Sequence, residues 1–227
     1  MKMLILGRGK TGSLVAEAAR ERGHDIRVVG AAENAGGAAL SAAALKGVEV
    51  VIDFTTPHCV LDNIHRCVEN RTPLVVGTTG WYGEVPRVRE MVETSGASLL
   101  YAANFSIGVN LFFDIVRAAA PALRYGYEGR ITETHHVHKK DAPSGTAVAI
   151  KNIVKHEASE DLKIDSVREG EIVGTHILEL DSSADTITLA HEAKSRRGFA
   201  EGAVRAAEWL PGHKGFFDFK DVFRELV

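Results

Sequence analysis

The stretch "KMLILGRGKTGSLVAEAARERG" (residues 2–23) decides the fold. "KMLIL" is an apolar run of strand length. "TGSLVAEAARERG" (11–23) repeats its apolar residues at helical spacing and closes on a glycine stop. Between them Gly7, Gly9 and Gly12 spell G-x-G-x-x-G, a pattern that is weak alone and informative at a strand-to-helix turn. Glycines there let the backbone turn tightly and approach a pyrophosphate, while the helix start offers free N–H groups and a positive dipole end.

Outward from this unit the same alternation continues. "DIRVVG" (25–30), "VEVVIDF" (48–54), "PLVVGTTG" (73–80) and "SLLYA" (98–102) read as strands. "PHCVLDNIHRCVEN" (57–70), opened by proline at a helix start, and the segment 84–95 read as helices. "GAAENAGGAALSAAAL" (30–45) reads as a loop running into a short helix. Strands that are apolar throughout and alternate with helices predict a parallel sheet covered on both faces, with ligands at the carboxyl ends of its strands. The loops to watch are therefore 7–12, 53–57, 77–80 and 102–106. Glu33, just past the second strand, is the candidate for the ribose hydroxyls of a dinucleotide. The absence of an arginine near Asn34 favours NADH; Lys10 or Arg8 can still supply a charge for a 2′-phosphate, so NADPH stays open.

Bulk properties exclude several classes. The 227 residues are 45% hydrophobic and 25% charged, an ordinary globular composition with ample core material. A formal net charge of −3 leaves no basic surplus for nucleic acid. No stretch approaches the roughly 18 to 20 apolar residues of a membrane span, and "MKMLILG" is too short for a signal peptide. Cys59 and Cys67 fall in one predicted helix, about 12 Å apart along its axis, so they cannot pair; a reducing cytoplasm is the expected home.

After Asn104 the pattern changes. "NLFFDIVRAAAPAL" (110–123) reads as a helix, and "EGRITETHHVH" (128–138), "LKIDSVREGEIV" (162–173), "GTHILELDS" (174–182) and "DTITLAHEAKS" (185–195) alternate apolar with polar residues. Such strands predict a half-solvated, antiparallel or mixed sheet. A helix runs from Gly145 to about Glu157. "GFAEGAVRAAEWL" (198–210) reads as another, and with "FFDFKDVF" (216–223) it is expected to return to the nucleotide unit. A substrate is expected in the cleft between two such units.

The chemistry concentrates in "ETHHVHKKDAPSGTA" (133–147). Hydride addition to an unsaturated carbon leaves a carbanion-like centre that needs a proton, and histidine is the usual donor near neutrality. A lysine nearby can bind a carboxylate or donate a proton. Pro143 and Ser144 start a helix, so the Ser144 hydroxyl and the N–H groups of Gly145 and Thr146 form a carboxylate site. The pattern H-H-x-H has no cysteine or further acidic cluster at ligand spacing, so no metal is expected. A solvated edge strand and a pH-sensing histidine cluster are the remaining plain readings. His24, His58, His65, His156, His176, His191 and His213 read as surface or helix decoration; Arg196, Arg197 and Arg205 read as a solvated face, with phosphate or substrate contacts as the alternative.

The long stretch closely resembles the signature E-x-H-H-x-x-K-x-D-A-P-S-G-T-A of the 4-hydroxy-tetrahydrodipicolinate reductase (dihydrodipicolinate reductase) family, with every fixed position present. "VIDFTTP", "VVGTTG", "AANFSIGVN" and "FAEGAVRAAEWL" resemble its other motifs in the right order. The resemblance implies NADH- or NADPH-dependent reduction of a cyclic dicarboxylate in lysine and diaminopimelate synthesis. It implies that His135 is the acid/base, with Lys139 beside it as proton donor or carboxylate ligand. His136, Ser144, Gly145 and Thr146 would hold the substrate carboxylates. Phe54, Thr55, Gly77, Thr78, Thr79, Ala103, Asn104 and Phe105 would line the nicotinamide side, with Gly7, Gly9, Lys10, Thr11, Gly12 and Glu33 on the rest of the cofactor. It further implies a Rossmann-like parallel-sheet nucleotide domain (1–105 plus about 205–227). An α+β domain with a mixed sheet (about 106–204) would bind substrate and assemble a homotetramer sheet to sheet. The loop "GRGKTG" is shorter than the family's G-x-x-G-R-M-G, with Lys10 and Thr11 where arginine and methionine stand; this departure bears on coenzyme choice.

Overall fold

In the computed structural model, which describes residues 1–226, the glycine loop joins β1 (Lys2–Leu6) to α1 (Lys10–Glu21). The chain continues through β2 (Asp25–Val29), β3 (Val50–Asp53), α2 (Val60–Glu69), β4 (Leu74–Val76), α3 (Val85–Ser95) and β5 (Ser98–Tyr101). Next come α4 (Ile107–Ala119), β6 (Glu128–His135), α5 (Gly145–Ala158), β7 (Ile164–Arg168), β8 (Thr175–Asp181) and β9 (Thr186–Glu192). It closes with α6 (Arg197–Trp209), β10 (Gly215–Asp218) and α7 (Phe219–Val222). These elements divide into two compact units: Met1–Ile107 together with the chain from Arg197, and Gly108–Arg196.

The first unit is a six-stranded sheet in the order β10-β5-β4-β3-β1-β2, parallel throughout. The order reverses at β1, where open α/β sheets present their ligand crevice. Val50, Val51 and Ile52 of β3 and Leu74, Val75 and Val76 of β4 are all fully buried, as strands covered on both faces require. On one face Val15 and Ala19 of α1 meet Ala200, Ala203, Val204 and Ala207 of α6. Small side chains let these elements come close, and at Gly202 a Cβ would overlap the Phe105 carbonyl oxygen. This packing takes α6 whole into the first unit, so the chain returns at Arg197, earlier than the expected residue 205. β10, within the segment expected to return, is a sixth parallel strand beside β5. Pro57 lies in a turn before α2: the Thr56 carbonyl accepts from the N–H groups of Cys59 and Val60, and the helix proper begins at Val60.

The second unit is a mixed sheet in the order β7-β6-β8-β9, with β6 parallel to β7 and antiparallel to β8. Ile131, Leu178, Leu180 and Leu189 on one face pack against Phe112 and Val116 of α4 and Ile150 and Val154 of α5. The fold is thus a Rossmann-like parallel sheet plus an α+β unit with a mixed sheet. No helix among the described residues is long and apolar enough to cross a membrane.

Candidate active site

The glycine loop needs its glycines for contact. Gly7 has φ +108°, and a Cβ there would overlap the Phe54 carbonyl oxygen; at Gly12 it would overlap the Gly7 carbonyl oxygen. Gly9 caps the N-terminus of α1, and its missing side chain faces open space, as a loop that receives a phosphate requires. Gly9, Lys10, Thr11 and Gly12 line one wall of a cavity of about 230 Å³. Phe54, Thr55 and Pro57 after β3, with Gly77, Thr78 and Thr79 after β4, form the rest. Glu33 stands outside that cavity. Its Oε2 accepts from the Gly30 N–H at 2.7 Å and its Oε1 from Arg8 Nη2 at 2.7 Å. The Gly30 amide, first, and Arg8 hold the Glu33 carboxyl below the usual carboxylate range. Asn104 Oδ1 accepts from the Ser106 N–H, and Ala103 is exposed. Phe105 departs from the expectation: its ring is 2% exposed and packs against Phe54 and Phe219, so its side chain belongs to the core.

A carboxylate that the sequence did not single out organises this rim. Asp53, fully buried at the end of β3, accepts through Oδ1 from the Thr55 N–H (2.9 Å), Thr55 Oγ1 (2.6 Å) and Thr78 Oγ1 (2.6 Å). Its Oδ2 accepts from Asn63 Nδ2 at 2.7 Å. The relay continues: Asn63 Oδ1 accepts from Asn34 Nδ2 (2.9 Å), and Asn34 Oδ1 from the Ala39 N–H (3.2 Å). Burial pushes the Asp53 carboxyl up, and these donors oppose it.

The second cluster lies in the second unit. Glu133 and His135 alternate on β6 and face the same way, and both are buried. His135 Nδ1 bonds the Glu133 carboxylate, whose other oxygen lies 2.9 Å from Arg168 Nη2 on β7. The β6–β8 register sets His176 opposite Glu133, and the rings of His135 and His176 stand 5.2 Å apart, edge to face. His176 Nε2 lies 3.0 Å from Ser144 Oγ, and Ser144 caps α5 by accepting from the Ala147 N–H. Burial pushes the His176 imidazole down to about 4. Burial also lowers His135, against the raising effect of Glu133. Glu133 itself sits below the usual carboxylate range: burial raises it, and Arg168, Ser166 and His135 more than offset that. Lys139 Nζ bonds both oxygens of Asp141 at 2.9 and 2.8 Å. His136 donates its N–H to the Ile172 carbonyl, and its buried Nδ1 has no partner.

The structure therefore brings His135 to the start of α5 through His176, and leaves the N–H groups of Gly145 and Thr146 at the helix N-terminus outside the Ser144 cap bond. Ser144 is buried and engaged with Ala147 and His176, so its hydroxyl offers a ligand less than the sequence suggests. His176 is no surface decoration. The donor atoms of Glu133, His135 and His176 lie within 4.8 Å of one another, an acidic and histidine cluster the sequence did not reveal; His176 Nδ1 in it is buried without a hydrogen-bond partner. The alternation Glu133-x-His135 was a readable sign of a shared face. Arg168 and His176 depend on strand register and had none. Arg197, read as solvated, pairs with Glu21 and Glu201 of the first unit.

A glycine-loop dinucleotide unit joined to an α+β unit carrying a buried histidine beside a helix start defines an NAD(P)-dependent oxidoreductase. Residues 1–105 match the family model "dihydrodipicolinate reductase, N-terminus" and 108–223 its C-terminal counterpart. The chain belongs to the dihydrodipicolinate reductase family. It is 36% identical over 242 residues to 4-hydroxy-tetrahydrodipicolinate reductase of Christiangramia forsetii, covering 100% of this chain and 99% of that one. The enzyme of the same name from Thiobacillus denitrificans is 37% identical over 201 residues, 79% and 75% of the two chains. The structure resembles dipicolinate-bound dihydrodipicolinate reductase from Paenisporosarcina sp. TG-14 (TM-score 0.83, 21% identity, 98% and 99% covered). A more distant likeness in fold is the DAP dehydrogenase of C. glutamicum in complex with DAP (TM-score 0.57, 13% identity, 100% and 95% covered).

Proposed function

We propose that this protein reduces 4-hydroxy-tetrahydrodipicolinate to tetrahydrodipicolinate with NADH or NADPH, in the synthesis of diaminopimelate and lysine. The nicotinamide supplies the hydride, and water leaves the hydroxylated ring before or during reduction. His135 delivers the proton to the carbon next to the one that receives hydride. The observation that carries this reading is the short link from His135 through His176 to Ser144, which sets a proton donor beside an anion-binding helix start. A ring dicarboxylate needs both at once.

In this reading the N–H groups of Gly145 and Thr146 receive one carboxylate. Ser144 holds that turn in place. Lys139, released from Asp141, and His136, whose Nδ1 awaits a partner, receive the other. In the first unit Gly9 to Gly12 hold the pyrophosphate. Phe54, Thr55, Gly77, Thr78 and Thr79, with the backbone at Ala103, Asn104 and Phe105, support the nicotinamide. Glu33 takes the ribose hydroxyls of NADH, and Arg8 and Lys10 face a 2′-phosphate. The outer face of the mixed sheet is the surface for a homotetramer, and a reducing cytoplasm suits the two free thiols.

The test is a steady-state assay with substrate generated in place from pyruvate and aspartate semialdehyde by the upstream synthase. Coenzyme oxidation that depends on that synthase supports the reaction. Replacing His135 with Gln lowers turnover on the order of 10²–10⁴-fold; full activity in that variant removes His135 from its role.

A further inference from the structure

We infer that Glu133 and Arg168 are positioning residues that set the tautomer and the acidity of His135, pulling in opposite directions. The inference rests on the reading of His135 as the proton donor. Glu133 has no solvent exposure, and a carboxylate so placed is sustained only by partners. Its partners are His135 Nδ1 on its own strand, the Ser166 side chain on β7, and the guanidinium of Arg168, 2.9 Å away on that same strand. Arg168 stands opposite His135 in the β6–β7 register, and its Nη2 also donates to the Asp141 carbonyl at 2.7 Å, which fixes its head.

A neutral imidazole carries one N–H. Bound to an ionised Glu133, that hydrogen stays on Nδ1, and Nε2 becomes the nitrogen that gains and loses the working proton. Gly174 leaves room for the ring by having no side chain: a Cβ there would stand 2.8 Å from Nε2. In the transfer, the Nε2–H bond of the imidazolium breaks as the carbon–hydrogen bond forms. Its electron pair stays on Nε2, leaving the neutral Nδ1–H ring that solvent recharges.

The charged and titratable groups facing His135 come from every neighbouring element. Glu133 is on its own strand, Arg168 on β7 and His176 on β8, with His191 of β9 beyond it; Lys139, paired with Asp141, is in the following loop. Among these Glu133 alone favours the imidazolium directly, while Arg168 and Lys139 oppose it. Arg168 thus has two effects: it keeps Glu133 ionised, and it prevents His135 from holding its proton too firmly to deliver it.

The test is a long-range ¹H–¹⁵N titration of His135 in the full-length protein, read beside the pH profile of kcat. The neutral wild-type ring is expected as the Nδ1–H tautomer. In Glu133→Gln the His135 midpoint falls by about one pH unit or more, and in Arg168→Met it rises. Arg168→Lys stays close to the wild type. The kcat profile moves with these midpoints, and KM for the dicarboxylate changes little. A neutral Nε2–H tautomer, unmoved midpoints, or shifts of the same sign in both variants overturn the inference. If Glu133→Gln does not fold, the wild-type tautomer and Arg168→Met still decide it. An inactive His135→Gln with unmoved titrations sinks this inference alone, whereas a fully active His135→Gln sinks the reading beneath it.

Discussion

Replacing Asp53 with Asn keeps the shape of the side chain and turns one acceptor oxygen into a donor. In the relay every hydrogen bond points toward Asp53: Ala39 N–H to Asn34, Asn34 to Asn63, Asn63 to Asp53. Oδ1 already takes three donors from Thr55 and Thr78, so the new NH₂ group at position 53 falls against Asn63 Nδ2. Asn63 can flip to accept it, and the conflict then moves to Asn34. If Asn34 flips, the conflict comes to rest on the Ala39 N–H, a backbone group that cannot turn. One donor–donor clash therefore survives somewhere along the chain, costing about 1–3 kcal/mol as a buried unsatisfied group. For a chain of 227 residues that lowers Tm by roughly 2–12 °C. Because Thr55 and Thr78 line the cavity proposed to hold the cofactor, KM for NADH is also expected to rise. The informative partner is Asn63→Asp: in the double variant the amide at position 53 donates to the carboxylate at position 63. That carboxylate still accepts from Asn34, and every bond is matched again. Calorimetry on the wild type, both single variants and the double variant completes the cycle. A single Asp53→Asn variant as stable as the wild type refutes the reasoning, since it means Asp53 is already protonated. A double variant no better than the sum of its parts refutes it equally.

Three further outcomes follow from the same geometry. Gly174→Ala presses a methyl group against His135 Nε2, so turnover falls by about tenfold or more while Tm changes modestly, seen in the steady-state assay. Arg8→Ala frees Glu33 and removes the proposed 2′-phosphate partner, so kcat/KM with NADPH is expected to drop about tenfold relative to that with NADH; an unchanged ratio removes Arg8 from coenzyme choice. His176 titrates at about 4 when folded and near 6.5 when unfolded, so the unfolded chain binds more protons between those values. Its contribution, on the order of 3 kcal/mol, is therefore fully present above about pH 6.5 and lost as pH falls toward 4. His176→Gln flattens the stability profile across that window in urea unfolding.

Local signals carried the strand–loop–helix of residues 2–23, because turn glycines, apolar periodicity and the helix stop all lie within it. The cavity lining was legible for a related reason: open parallel sheets place their ligands at strand ends, so the loops 53–57 and 77–80 could be nominated once the strands were read, and the family resemblance picked Phe54, Thr55, Gly77, Thr78 and Thr79 within them. Phe105 shows the limit, because a motif position does not say whether a ring or only its backbone faces the ligand. β10 was hard to name because four residues, Gly215–Asp218, gain their strand character from lying beside β5. The partners of His135 were hidden further still. Arg168 and His176 meet Glu133 through pairings across β7 and β8, and no local spacing encodes a register.

The arrangement of α6 and β10 has a consequence for how the chain is made. Both belong to the first unit, yet the ribosome reaches them only after the whole of Gly108–Arg196 has been synthesised. Domains ordinarily fold in order of emergence, N-terminal first. Here the earlier sheet must wait, with the edge of β5 unpaired and the core that Ala203, Val204 and Ala207 later cover still open to water. Meanwhile the inserted unit already holds all of its strands. A growing chain with an open edge and bare apolar surface is an aggregation hazard. For this protein, that interval during translation is when chaperone protection counts most.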